Sequence, residues 1–537
     1  MPRLGSLVLS LSSLIASASA VLPTVQVGCN QYAGVTSSSG ITKWLGLRYA
    51  APPVGDLRFS PPEDPICYSG TQTASAHGPV CIGTGGSANS TKLSEDCLFL
   101  DVYAPANATA LSKLPVFFHI QGGGFNQNSN PNVDGSGLIA ASNNSIVVVS
   151  INYRVGAYGF LADGTTLKAN NGLRDQRKAL EWVQNYISQF GGDPGHVVLG
   201  GESAGAASIS LQMTAYGGKD FGLFHAAAAE SISFATVLTA SEASYQYDIL
   251  SIRLGCVGSD TLACLRSKTT AEIQAVNTNS PYPGNSAAPL YMYNPVIDKD
   301  IITDYTYNAF KTGRFIKVPL IAGDDNNGGT VFAPSSTSTL AESNLWLRTQ
   351  FPRLTLDQLA TIDELYPNPN ASACPSSGCY WRQLSNAYGE MRYMCPGLFI
   401  STALAAYGVP SSWAYRYNVE DPAQIAQGLG VPHTVESDAI WGPAYVDSSI
   451  SVPASYLANG TNAPVIPVIQ GYWTSFIRSF DPNTYRLAGT AEWEEWTGND
   501  TERLLFETGG ATTMETVDPD LWARCEFWSG IGVEIAQ

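Results

Sequence analysis

The chemistry open to this chain centres on Ser203, in the run Val197-Val198-Leu199-Gly200-Gly201-Glu202-Ser203-Ala204-Gly205. Val197 to Leu199 are short, apolar and partly β-branched, as a buried parallel strand should be, and Ala206 to Met213 can be helical. The spacing predicts strand, tight turn and helix, with Ser203 at the apex. Such a turn lifts a serine Oγ clear of the sheet, and the helix behind it aims free N–H groups at the same point. Gly201 and Gly205 leave out the side chains that would clash in so sharp a turn. In a chain with 51 glycines the bare G-x-S-x-G pattern also arises by chance, so the flanking strand and helix carry the weight of the reading.

A nucleophilic serine needs a base, a group that orients the base, and donors for the oxyanion. Leu114 to Ile120 read as a strand that runs into Gln121-Gly122-Gly123-Gly124-Phe125, a loop whose backbone N–H groups are approachable. The chain has five histidines. His119 and His196 fall within strand or signature segments, His225 near the next strand, and His77 close to Cys81. His433 remains, in Gly430-Val431-Pro432-His433-Thr434-Val435-Glu436-Ser437-Asp438-Ala439-Ile440-Trp441-Gly442, and it follows Ser203 in the chain.

Taken with Glu95-Asp96-Cys97-Leu98-Phe99-Leu100-Asp101-Val102-Tyr103, the serine run resembles the paired signatures of the type-B carboxylesterases, a family that includes cholinesterases and fungal lipases. The similarity runs from about Gly46 to the C-terminal region. It implies an α/β-hydrolase fold, with a central, mostly parallel sheet flanked by helices and long cap or loop excursions. It also implies ester cleavage through an acyl-serine at Ser203, with His433 as base and the N–H groups of Gly123, Gly124 and Ala204 as oxyanion donors. Glu202 and Glu436 resemble acidic groups supporting that site from behind. Arg58 resembles a structural partner of Glu95, and Arg154 one of Asp175. Small-molecule esters are the implied substrates, and no cofactor or metal is implied.

The orienting acid departs from this pattern. The family places Glu or Asp five residues after the glycine of the strand Lys317-Val318-Pro319-Leu320-Ile321-Ala322-Gly323; here that position is Gly328, with Gly329 and Phe332 aligned beyond it. Glycine cannot orient an imidazole. Two expectations follow: a slow hydrolase, or a carboxylate supplied from elsewhere, with Asp325 and then Asp324 nearest in sequence. The same fold without hydrolysis, as a pocket that binds or rearranges a small metabolite or as an adhesion module, is the competing reading. The intact Ser203, glycine loop and His433 count against it.

The elements that must position these groups are legible in outline. Ser145 to Tyr153 read as a core strand, Asp175 as opening a helix with Ala179, Trp182, Val183, Tyr186, Ile187 and Phe190 on its buried face, and Ser411 to Tyr417 as a further strand. Residues 233–293 are expected to pack helices over the site. The last third reads as helices with core aromatics at Trp473, Phe476, Phe480, Trp493 and Trp496.

Nothing among the 537 residues resembles a linker, repeat or charge run, so residues 21–537 are expected to form one domain. Residues 1–20 read as a signal peptide, with Arg3, an apolar stretch from Leu4 to Ile15, and Ala18-Ser19-Ala20 as cleavage site; secretion without a membrane anchor is expected. A net charge of −17 disfavours nucleic acid as a partner. Ten cysteines suit an exported chain. Cys81–Cys97 and Cys256–Cys264 match loops of the resembled family. Order and proximity suggest Cys29–Cys67 and Cys374–Cys379, leaving Cys395 with Cys525; free thiols stay open for these six. Sequons at Asn89, Asn107, Asn143, Asn370, Asn459 and Asn499 are candidate glycan sites.

Overall fold

The computed structural model describes residues 23–368, 377–409, 411–498 and 501–537. Its centre is an 11-stranded sheet. In chain order the strands are β1 Val35–Thr36, β2 Ile41–Arg48, β3 Phe99–Pro105, β4 Leu114–Ile120, β5 Val147–Ile151, β6 Gly192–Glu202, β7 Ala226–Glu230, β8 Leu320–Asp325, β9 Ser412–Asn418, β10 Glu502–Glu507 and β11 Thr512–Thr516. Across the sheet they lie in the order β11-β10-β9-β8-β7-β6-β4-β5-β3-β2-β1. The block from β10 through β5 is parallel. Both edges are antiparallel, with β11 on β10 at one side and β3, β2 and β1 at the other. This is the α/β-hydrolase architecture expected from the sequence.

Burial on both faces explains the near-continuous apolar runs of the central strands. Residues 116–120 and 147–151 alternate between two cores. Val116, Phe118, Ile120, Val147 and Val149 belong to one, and Phe117 and Val148 to the other. Five helices matter to the site: α1 Asn171–Tyr186, α2 Ala204–Gly218, α3 Cys395–Ala406, α4 Glu436–Trp441 and α5 Val465–Ser479. The first core takes Leu180 and Val183 of α1 with Ile209 and Met213 of α2. The second takes Ile469, Trp473 and Phe476 of α5.

Two readings of local structure need correcting. Helix α1 starts at Asn171, so Asp175 lies inside it, fully buried, rather than at a dipole-exposed terminus. Its carboxylate takes two bonds from the Arg154 guanidinium, at 2.8 and 2.7 Å. Removing one partner of such a buried pair costs about 3–5 kcal/mol. The last third holds β10 and β11 as well as helices, which the sequence reading missed. Of the core aromatics expected there, Trp473, Phe476, Trp493 and Trp496 are sealed, while Phe480, at the C-terminal end of α5, is only partly buried against the core.

Cys81–Cys97 and Cys256–Cys264 form disulfides, as do Cys29–Cys67 and Cys395–Cys525. Closing the 16-residue Cys81–Cys97 separation stabilises by about 3 kcal/mol in the chain-entropy view. Cys379 is disulfide-bonded, while Cys374 lies outside the described residues. Arg58 and Glu95 form the expected buried pair, at 2.6 and 2.8 Å. Asn89, Asn107, Asn143 and Asn459 are exposed; Asn370, Asn499 and the 1–20 segment lie outside the described residues. No described helix is long and apolar enough to cross a membrane.

Candidate active site

Ser203 sits between β6 and α2 with φ 55° and ψ −117°. A non-glycine residue held there costs of order 1–3 kcal/mol and persists only where its surroundings enforce it. The enforcement is visible. Ser203 N–H donates to the Glu230 carbonyl at 3.0 Å, and its own carbonyl accepts from the Ser233 hydroxyl at 3.2 Å. The flanking glycines make the turn possible by close approach. A Cβ on Gly205 would fall 1.9 Å from the Ile120 carbonyl oxygen, and one on Gly201 would fall 2.7 Å from the Gly205 carbonyl carbon. The elbow thus rests directly on the end of β4, with no room for side chains.

The glycine loop leaves β4 at the same place. A Cβ on Gly122 would lie 3.0 Å from Ser203 Cβ, so loop and serine are in contact. Gly123 and Gly124 have φ of 108° and 62°, the left-handed region that favours glycine. Ala204, the first residue of α2, has no intrahelical partner for its N–H. Glu202 ties the parts together from beneath: its carboxylate accepts from Gly122 N–H at 3.0 Å and meets His119 Nε2 at 2.8 Å. These two contacts hold Glu202 against the start of the glycine loop.

His433 lies on the loop before α4, and a pocket of about 270 Å³ has Glu202, His433 and Asp438 in its wall. An edge of the imidazole reaches that pocket, yet both ring nitrogens are sealed and have no hydrogen-bond partner among the described residues. Aromatic rings enclose it: Tyr393 at 4.0 Å and Phe332 at 5.2 Å between centroids. Burial, with the nearby Arg392 charge second, lowers its pKa to about 3. His433 is therefore a neutral imidazole across ordinary pH.

Gly328 is close by. Asn327 exchanges bonds with Val431 at 2.8 and 3.0 Å, and the Thr330 hydroxyl donates to the Leu429 carbonyl at 2.9 Å, clamping this turn to the histidine loop. A Cβ at Gly328 would meet Tyr393 Cδ2 at 3.3 Å, the same ring that stacks on His433. The Tyr393 ring thus packs against both position 328 and the imidazole.

Neither sequence-proposed substitute acid hydrogen-bonds to His433. Asp324 and Asp325 end β8, four and three residues before Gly328, and as strand neighbours they face opposite ways. Asp324 answers to Arg503, Glu436 and Arg416, and burial lifts its pKa to about 8. The Ser231 hydroxyl lies 2.9 Å from Asp325 Oδ2 and 2.6 Å from Glu436 Oε1. One hydroxyl carries one proton, so the second contact needs a proton from a carboxyl. Burial and the Glu436 charge push Asp325 upward, which fits. Glu436 thus lies in a buried acid network with Asp325, Ser231 and Tyr415 rather than against His433. Glu230, opposite Glu202 in the sheet register, is likewise pushed well up by burial and by Glu202.

This network has a sign. Asp324, at about 8, and Asp438, raised to about 7 by burial, keep protons that the unfolded chain releases. Groups with raised folded pKa lose their contribution as pH rises through it. Thermal unfolding is expected at higher temperature at pH 6.5 than at pH 8, the two aspartates together contributing on the order of 2 kcal/mol. His433 opposes this weakly, since the unfolded imidazole is half protonated at pH 6.5 and loses that proton within about one further pH unit. A calorimetric scan with equal or lower Tm at pH 6.5 would contradict the protonated network.

The other histidines are occupied elsewhere: His77 with Asp101 at 2.6 Å, His196 with the Ile477 carbonyl at 2.9 Å, and His225 accepting from Val197 N–H at 3.2 Å. Sequence reasoning did not find Tyr393, Tyr291 or Arg392. Tyr291 packs its ring against Gly124, 2.3 Å from a Cβ there. No pattern marks either tyrosine, because each reaches the site through tertiary packing.

The model of the family described as "Carboxylesterase family" matches residues 23–528. "Secreted lipase 4" of Gibberella zeae is 29% identical, the alignment covering 93% of this chain and 92% of that protein. "Lipase 1" of Geotrichum candidum is 33% identical, covering 66% and 71% respectively. The crystal structure of Aspergillus niger EstA superposes with a TM-score of 0.92 at 43% identity, covering 96% of this chain and 99% of that one.

Proposed function

We propose that this chain, which belongs to the carboxylesterase family, is an exported hydrolase of small carboxylic esters that works through an acyl-serine at Ser203. In this reading residues 1–20 are removed on export and residues 21–537 act as one domain. The relatives named as secreted lipases and the disulfides, which suit an oxidising compartment, support export.

The observation that carries the reading is the strained elbow at Ser203, held in contact with the glycine loop. Such strain is kept where it serves a purpose. Ser203 Oγ attacks the ester carbonyl and gives its proton to His433. The oxyanion collects on the N–H groups of Gly123, Gly124 and Ala204, donors that each contribute about 3–4 kcal/mol in such sites. His433 returns the proton to the leaving alcohol, and a water then releases the acyl group by the same steps reversed.

The rate is set by what is missing. Loss of the orienting acid from such a triad lowers kcat about 10⁴-fold, while oxyanion hole and binding alone leave about 10³–10⁴ over water. His433 is neutral and able to accept a proton, but the imidazolium it becomes has no counter-charge bonded to it. The enzyme is therefore slow.

A panel of p-nitrophenyl esters of rising chain length tests this. Saturable turnover above buffer is expected, with one chain length preferred. Hydrolysis no faster than buffer for every ester would overturn the proposal and leave a binding or adhesion role for the fold.

A further inference from the structure

Arg392 is a buried cation without a counter-ion. It is 5% exposed, and no carboxylate lies within ion-pair distance of it among the described residues. Its guanidinium makes one hydrogen bond there, a long 3.5 Å contact to the Thr236 hydroxyl. Burying a charge in this way costs several kcal/mol unless something pairs with it. The nearest acid in sequence is already taken: Glu390 is held by Arg524 at 2.6 and 2.8 Å and by Tyr366 at 2.7 Å. The remaining Arg392 nitrogens are nevertheless absent from the fully enclosed unpartnered atoms, so they retain contact with open space.

Its position is also telling. Arg392 lies in the π-helical turn Glu390–Met394, an irregularity that occurs often at functional sites. Its charge acts on His433, on Tyr393, which stacks on His433, and on Tyr291, whose ring covers Gly124. Its chain neighbour Tyr393 packs on the proposed base at 4.0 Å between ring centroids, so Arg392 lies on the turn that flanks His433. A guanidinium presents paired N–H donors in a fixed plane, suited to bidentate binding of a carboxylate.

We infer that Arg392 is a specificity residue that receives a free carboxylate on the substrate, so that esters carrying an acid group, such as half-esters of dicarboxylic acids, are preferred over neutral esters of the same size. The inference rests on the ester-hydrolase reading for its kinetic consequence, but not for binding.

Two readouts separate the two claims. Benzoate and benzamide have the same shape and differ in charge. Titrated into the intact enzyme by calorimetry, benzoate is expected to bind at least about tenfold more tightly, with the difference lost in Arg392→Met and partly kept in Arg392→Lys. For turnover, p-nitrophenyl hydrogen glutarate is compared with p-nitrophenyl pentanoate. The ratio of their kcat/KM values is expected to exceed about ten and to fall towards one in Arg392→Met. If benzoate binds as expected and neither ester turns over, the hydrolase reading fails and the anion site stands. If the wild-type enzyme binds benzoate and benzamide alike, or if the kcat/KM ratio is the same in a folded Arg392→Met variant, the inference is overturned. The wild-type comparison decides the matter even where Arg392→Met does not fold.

Discussion

Gly328→Glu is expected to raise kcat on the preferred ester at least about tenfold, with about 10⁴ as the ceiling set by the full value of a triad acid. The backbone permits it, since Gly328 is not among the residues with positive φ. Space permits it too: a Cβ there meets only the Tyr393 ring at 3.3 Å and, in ordinary contact, the Asp325 carbonyl oxygen at 3.7 Å. The Tyr393 ring, packed against both position 328 and His433, crowds the new carboxylate, which is why the expected gain starts near tenfold rather than at the ceiling. The effect should fall on kcat, because charge on the imidazole develops only in the transition state. A folded Gly328→Glu enzyme with unchanged kcat, together with an inactive Asp325→Asn enzyme, would show that a rearranged Asp325 is the acid.

Ser203→Ala is expected to lower kcat by about 10²-fold in the natural chain and by far more in the Gly328→Glu background. Triad groups act as a unit. Loss of serine from a complete triad costs about 2 × 10⁶ and loss of the acid about 3 × 10⁴, so a triad already without its acid has roughly 10² left to lose. Whatever factor Gly328→Glu gains should reappear as an added penalty for Ser203→Ala. Equal penalties in the two backgrounds would mean that the glutamate acts somewhere other than on the Ser203–His433 pair.

The groups held by local chain geometry were the legible ones. Gly201, Ser203 and Gly205 encode a turn by their spacing, and strand β4 leads into Gly122–Gly124 without interruption. The absence of an acid at position 328 was equally plain. What stood there instead was not, because Tyr393 arrives from a π-helical turn 65 positions along the chain, and nothing in Met391-Arg392-Tyr393 announces its direction. The fate of Asp324 and Asp325 was hidden for the same reason. Their partners Arg503 and Glu436 come from β10 and α4, and β10 itself escaped notice because Leu504-Leu505-Phe506 is too short a run to tell from helix. The buried charge of Arg392 could not be anticipated either, since an arginine, even beside Met391, Tyr393 and Met394, reads by default as solvent-facing.

The claim on which the rest depends is that Ser203 forms a covalent acyl intermediate. A fluorophosphonate probe, incubated with folded enzyme at high concentration and followed by peptide mass spectrometry, reports on it directly. The expected result is one stable adduct, on the peptide that carries Ser203, forming slowly in the natural chain and faster in Gly328→Glu. A folded enzyme that hydrolyses p-nitrophenyl esters while Ser203 stays unlabelled would contradict the acyl-serine account.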